Sequence, residues 1–146
     1  VETLVSDLRR RAGVGIIPLG GGLKRIFRAL RDGHWVAMLA DQDARRHGVF
    51  VPFFGRLAST PEGPARLALQ AEVPILSGFI RRRADGRHRV DFEPAYLPAG
   101  GPTEENVVAL TAWHTARLEQ EIRRAPEHWF WLHRRWKTPP PPDPGS

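Results

Sequence analysis

Residues 40–55 read A-D-Q-D-A-R-R-H-G-V-F-V-P-F-F-G. They follow an apolar run, W-V-A-M-L-A at 35–40, that stops abruptly at Asp41-Gln42-Asp43, as a buried strand does when it emerges at the edge of a sheet. A short basic loop, Arg45-Arg46-His47, comes next, and then an apolar segment ending in Phe53-Phe54-Gly55. In open α/β sheets, ligands bind outside the carboxyl ends of the strands. Acidic and amide side chains placed there suit a hydroxyl-rich ligand. Asp41 and Asp43 also have a purely structural reading, in which they cap the loop or pair with Arg45 and Arg46.

Upstream of this stretch, residues 2–12 carry an apolar stripe of Leu4, Val5 and Leu8 at helical spacing, with Gly13 placed to end the helix. Residues 14–19 form a short apolar run consistent with a strand, followed by Gly20-Gly21-Gly22. That triple glycine lacks both the P-loop lysine pattern and the spaced dinucleotide fingerprint, and reads as a connector. A second helix is expected over 23–32, with Leu23, Ile26, Phe27 and Leu30 on one face. Helix, strand, helix, strand is the rhythm of a parallel α/β sheet.

Downstream, Ser59-Thr60-Pro61-Glu62 has the form of a helix start with a hydroxyl cap, and its helix runs to about residue 72. A strand is expected over 73–80, then a hairpin at Asp85-Gly86. The returning strand at 89–94 alternates Val90 and Phe92 with Arg89, Asp91 and Glu93, the pattern of a half-exposed edge strand. Thr103 then caps a helix over 104–124, with acids in its first turn and arginines in its last. Pro126 ends it.

The chain has 146 residues, 41% hydrophobic and 26% charged, which fits one globular domain. It contains no cysteine, so a disulfide framework, a thiolate metal site and a cysteine nucleophile are excluded. The formal charge of +6 favours phosphates, anionic lipid headgroups, nucleic acid or an acidic carrier protein as partners. No apolar run reaches the roughly 18 residues of a spanning helix.

The segment 126–137, P-E-H-W-F-W-L-H-R-R-W-K, mixes tryptophan, histidine and cations. Aromatic rings lie well along acyl chains while arginines hold phosphates in bidentate fashion; the same mixture also stacks nucleotide bases. The tryptophans at 129, 131 and 136 read mainly as structural, with Trp129, Leu132 and Trp136 closing the core, and Arg134, Arg135 and Lys137 as the functional candidates. A histidine base with an acid five residues later has two formal matches, His88 with Glu93 and His114 with Glu119. Residues five apart point to opposite faces of a strand and lie about 140° apart on a helix, so both are read as coincidence. Neither H-E-x-x-H nor G-x-S-x-G occurs, and no metal or cofactor is expected.

Taken together, D-Q-D, G-V-F-V-P-F-F-G, T-P-E-G, V-P-I-L and the terminal P-E-H-W-F-W-L-H-R-R-W-K resemble the bacterial lipid A biosynthesis acyltransferases, the lauroyl/myristoyl transferase family. The resemblance runs from about Val14 to Lys137. It implies an α/β fold, part of a glycerolipid-acyltransferase-like mixed sheet flanked by helices. It also implies transfer of a fatty acyl chain from acyl carrier protein or acyl-CoA to a hydroxyl of a phosphorylated glycolipid, the lipid A precursor. Asp41 and Gln42 then fall beside the acceptor, Phe53, Phe54 and Gly55 shape the following loop, and Arg134, Arg135 and Lys137 lie in the terminal signature.

The family's catalytic histidine and acid lie upstream of the Asp-Gln segment, and its membrane anchor further upstream still. The resemblance therefore makes residues 1–137 the C-terminal portion of an acyltransferase domain and 138–146 a Pro-rich tail. It implies a chain inactive alone, poorly soluble, and in contact with the cytoplasmic face of the bacterial inner membrane. Three alternatives stand beside it. One is transfer to another glycolipid such as a phosphatidylinositol mannoside, and another is a lipid-binding module without a dyad. The third, nucleic-acid binding, rests on charge and aromatics alone, with no recognition motif, and no nucleic-acid partner is expected.

Overall fold

Thr103 accepts a hydrogen bond from the Asn106 N–H at 3.2 Å, which satisfies one of the donors a helix start leaves unpaired. The helix it opens is the longest among the described residues. The computed structural model describes residues 2–18 and 22–142. In chain order these form α1 (Glu2–Arg11), α2 (Leu23–Arg31), β1 (Val49–Phe53), β2 (Arg56–Thr60), α3 (Gly63–Ala71), β3 (Gly78–Arg82), β4 (His88–Phe92) and α4 (Glu104–Arg124). Single 3₁₀ turns occupy Arg45–His47 and Pro126–His128. The chain is mixed α/β, as expected, and divides into two units, Val1–Ala37 and Met38–Ser146.

In the first unit, α2 has no buried residue, and Leu4, Leu8 and Leu23 are exposed. Residues 14–18 join no ladder; Leu19, Gly20 and Gly21 of the expected strand and glycine connector lie outside the described residues. The run 35–40 likewise forms no strand, and Trp35 and Leu39 stand in the open at 83% and 87%. An apolar run becomes a strand only when another strand takes up its N–H and C=O groups. Among the described residues none pairs with it.

The second unit is built on α4. Near its start, Val107 and Leu110 meet Ala65, Ala68 and Leu69 of α3, whose alanines let the two backbones approach closely. Near its end, Ile122 packs with Phe53 and Ala58, and Leu118, Trp129 and Trp136 close around them. Both ladders are antiparallel: β1 with β2, and β3 with β4. The parallel rhythm expected from the first 40 residues is not formed among the described residues.

Phe53-Phe54-Gly55 turns out to be a hairpin. Phe53 pairs with Arg56, and both connecting residues have positive φ, 50° at Phe54 and 74° at Gly55. These are the requirements of a two-residue type I′ turn, whose twist suits antiparallel strands. Ser59 and Thr60 therefore end β2 and do not cap α3, which starts at Gly63 after Glu62. Gly48 lets the chain pass close to this strand end, since a Cβ there would stand 2.6 Å from the Thr60 carbonyl oxygen.

The second hairpin turns at Asp85-Gly86 as expected, with Gly86 at φ +81°. Its strand β3 starts later than expected, at Gly78, after a lone bridge between Ile75 and Tyr96. The alternation along β4 is real but its faces are reversed. Val90 and Phe92 are exposed, whereas Asp91 and Glu93 are partly buried. Ion pairs explain the reversal: Arg81 reaches Glu121 of α4 at 2.6 Å and Asp91 at 3.5 Å, and Glu93 reaches Arg117 at 3.8 Å. The hairpin thus turns its charged side toward α4.

Candidate functional site

Asp43 draws the two informative stretches together. Its carboxylate is fully buried, and Oδ2 accepts from the Arg45 N–H at 3.1 Å, closing a turn that ends on Arg45 at φ +57°. The same oxygen accepts from the Thr138 hydroxyl at 3.0 Å and lies 4.0 Å from Lys137 Nζ. The Asp43 N–H donates to His133 Nε2 at 2.9 Å. A loop near residue 43 and a segment some 90 residues later are thus held as one surface. Asp43 does cap the loop, through a backbone N–H and not through the Arg45 or Arg46 side chains.

Arg135 is the second clasp. It is 2% exposed, and its Nη1 donates to the Ser59 carbonyl at 2.6 Å and Nη2 to the Thr60 hydroxyl at 2.5 Å. The guanidinium lies over the Phe53 ring, 5.2 Å from its centroid. Burial lowers its pKa, and the Asp43 and Asp41 carboxylates offset part of that shift. Arginine keeps its charge in such a site, so the guanidinium and the two acids act as one buried charge cluster. Its place in this cluster leaves it almost without solvent contact, although it also borders the groove that its neighbours line.

The neighbouring cations face outward. Arg134 and Lys137 line an open groove of about 330 Å³ together with Arg56, Trp131, His133, Arg135 and Trp136. Arg56 also lies over the Trp136 ring, 5.4 Å from its centroid. A groove at the other end of α4, about 230 Å³ and bordered by Tyr96, Asn106 and Trp113, has no charged lining residue. Among the described residues, no cluster of three histidine or acidic side chains is arranged to hold a metal. None of their helices is long and apolar enough to cross a membrane.

The two formal histidine–acid pairs are not dyads. Histidine 88 opens β4 with its side chain exposed, while Glu93 pairs with Arg117. His114 Nε2 is buried with no partner, and burial, assisted by Arg135, holds its pKa down at about 4. Glu119 is engaged elsewhere, accepting the Phe54 N–H at 2.6 Å and the Arg123 side chain at 2.7 Å. Burial pushes its pKa up, but those two hydrogen bonds and the Arg123 charge outweigh it and hold the carboxyl below its usual range. Glu119 thereby anchors the left-handed Phe54.

A family model for bacterial lipid A biosynthesis acyltransferases matches residues 1–138. This chain belongs to that family. Among its curated relatives is the lipid A biosynthesis palmitoleoyltransferase of Escherichia coli K12, 37% identical over 121 residues, 81% of this chain. The lauroyltransferase of the same organism is 34% identical over 121 residues, also 81% of the chain. A phosphatidylinositol mannoside acyltransferase of Mycobacterium tuberculosis is 31% identical over 134 residues, 89% of the chain. The acyltransferase-family chain described here spans 38%, 39% and 41% of these relatives' lengths, respectively.

Set on this family frame, the residues singled out in the sequence fall into three groups. Asp41 and Gln42 sit at the loop, half-buried and exposed, with Asp41 close enough to support the Arg135 charge. Phe53 is core at 1% exposed, and Phe54 and Gly55 are the hairpin turn. Arg134, Arg135 and Lys137 all line the groove, Arg135 buried in its wall and the other two exposed. Trp129 and Trp136 pack on Phe53 as expected, but Leu132 and Trp131 are 84% and 56% exposed and close no core. His133, Thr138 and Arg56 were not singled out in the sequence. His133 stood in the quoted signature; the pairings of the other two need the fold.

Proposed function

We propose that this chain is the acceptor-side part of an acyltransferase that moves a fatty acyl chain from an acyl thioester, carried by acyl carrier protein or coenzyme A, to a hydroxyl of a phosphorylated glycolipid of the lipid A precursor type. The observation that carries the reading is the docking of the D-Q-D loop on the terminal signature through Asp43, His133 and Thr138. It sets polar loop side chains beside a cationic groove, a combination suited to a sugar bearing phosphates.

In this reading Asp41 and Gln42 hold sugar hydroxyls, and Arg134 and Lys137 take the phosphates. Phe53, Phe54 and Gly55 give the loop its shape, and Arg135 acts as a positioning residue from behind. By the family resemblance the general base that activates the acceptor hydroxyl is a histidine oriented by an acid five residues on, a role that neither His88 with Glu93 nor His114 with Glu119 fills. Residues 1–137 alone are then inactive, with 138–146 as a tail, and the working enzyme meets its lipid at the cytoplasmic face of the inner membrane.

A second acceptor class has support of its own. Similarity to the mycobacterial phosphatidylinositol mannoside acyltransferase covers 89% of the chain, against 81% for the lipid A enzymes. Turnover of the full-length enzyme with purified acceptors of both kinds separates the two. Within either reading, Asp41→Ala in that enzyme is expected to reduce turnover sharply while leaving the fold intact; unchanged turnover would remove Asp41 from the acceptor site.

A further inference from the structure

We propose that the turn at 130–133 is a membrane wedge, with Phe130, Trp131 and Leu132 entering the interfacial layer of an anionic phospholipid bilayer while Arg56 holds a headgroup phosphate beside them and the positive field of the groove, Arg134 and Lys137 included, draws the anionic surface in. The inference goes beyond acyl transfer and stands without it. Phe130, Trp131 and Leu132 are 61%, 56% and 84% exposed, three consecutive large apolar side chains with no cover among the described residues. A contiguous patch of that kind marks a contact surface, unlike apolar residues scattered singly.

The wedge is also prepared to leave water. The Trp131 Nε1–H donates to the Pro126 carbonyl at 2.7 Å, so its one polar atom is satisfied internally. The backbone N–H of Trp131 donates to Trp129 at 2.9 Å and that of His133 to Phe130 at 3.1 Å. These bonds satisfy part of the turn's polar groups internally, which lowers the cost of leaving water.

A bilayer is the partner that the chemistry fits. Trp131 shares its groove with Arg56, Arg134 and Lys137, so aromatic surface and cations lie side by side. That order reproduces acyl chains followed by phosphates, the arrangement used by interfacial aromatic and basic side chains. Within 126–137 the only acid is Glu127, and it lies 3.1 Å from His128.

The absence of cysteine makes a direct test available. Leu132→Cys in the 146-residue chain carries a single environment-sensitive fluorophore, and Leu97→Cys, at a site 64% exposed, carries the control. Vesicles of phosphatidylcholine, alone or with roughly a third phosphatidylglycerol, contain no glycolipid acceptor, so the outcome does not depend on the acceptor assignment. The expected result is a blue shift and quenching by bromine-labelled acyl chains at position 132, on anionic vesicles only, with the label at 97 unchanged. A Phe130→Ser/Leu132→Ser variant with the parent's circular dichroism spectrum should partition about tenfold less. The proposal is overturned by a label at 132 that stays in water, by an equal response at 97, or by a double variant that partitions like the parent.

Discussion

Two tight turns stand next to each other in the terminal signature and treat their central residues in opposite ways. The turn at 130–133 closes with His133 N–H to Phe130 at 3.1 Å and holds Trp131 and Leu132 outward. The turn at 134–137 closes with Lys137 N–H to Arg134 at 3.2 Å and holds Arg135 and Trp136 inward, against Phe53. Hydropathy alone would assign the reverse, with leucine inside and arginine outside. Partners decide the matter. Arg135 finds a carbonyl, a hydroxyl, an aromatic face and two nearby carboxylates, whereas Leu132 stays 84% exposed. The inward turn fixes the structure and leaves Arg134 exposed on the groove, with Lys137 beside it within 4.0 Å of Asp43.

The largest effect should come from breaking the inward turn. Arg135→Ala empties a buried site, leaves the Ser59 carbonyl and Thr60 hydroxyl without their donor and removes a positive charge from beside Asp43 and Asp41, and is expected to destabilise by about 3–5 kcal/mol, read as a shift in the urea midpoint. A loss below about 1 kcal/mol, the range of exposed ion pairs, would mean that the cluster is solvated.

Acidity probes the same interior. The unfolded His114 takes up its proton near 6.5, whereas the folded one waits until about 4. The contribution of His114 is therefore complete above pH 6.5 and is lost as the pH falls through that window, by about 3 kcal/mol in all, levelling off below 4. His114→Leu should flatten urea midpoints measured between pH 7 and 4.5. Glu119, whose carboxyl is held below its ordinary value, adds a separate loss that starts only near pH 4.5. An unchanged slope in His114→Leu would place the histidine in contact with water.

Smaller effects sharpen the contrast. Gly55→Ala forces a side chain into φ +74°, in the hairpin that presents Phe53 to Trp136, and should cost about 1–2 kcal/mol in the melting curve. Leu132→Ser, on the outward turn, should change stability by less than about 0.5 kcal/mol, because nothing packs on it. A clear loss of stability would mean that the outward turn also belongs to the core.

Where the sequence could be read, the reason was local. Thr103 with its following acids located α4, and Asp85-Gly86 located a hairpin, since caps and tight turns are properties of a few adjacent residues. Ser59-Thr60-Pro61-Glu62 misled because a hydroxyl near a proline suits a helix start equally well. What settles the matter is Arg135, 75 residues beyond Thr60. The period of β4 was legible but its phase was not, because the phase is set by Glu121 and Arg117 on α4. The candidate site divides the same way. Residue types identified Asp41, Gln42, Arg134 and Lys137 as polar candidates, but an arginine that points inward looks in sequence like one that points out.

The most direct test of this division is the apparent KM for glycolipid acceptor in the full-length enzyme carrying Arg134→Ala, measured beside its melting temperature. Loss of one charge-assisted phosphate contact should raise KM about tenfold or more with the melting temperature unchanged. An unchanged KM, or a rise in KM accompanied by lost stability, would contradict the assignment of the outward cations to the lipid and the inward one to the fold.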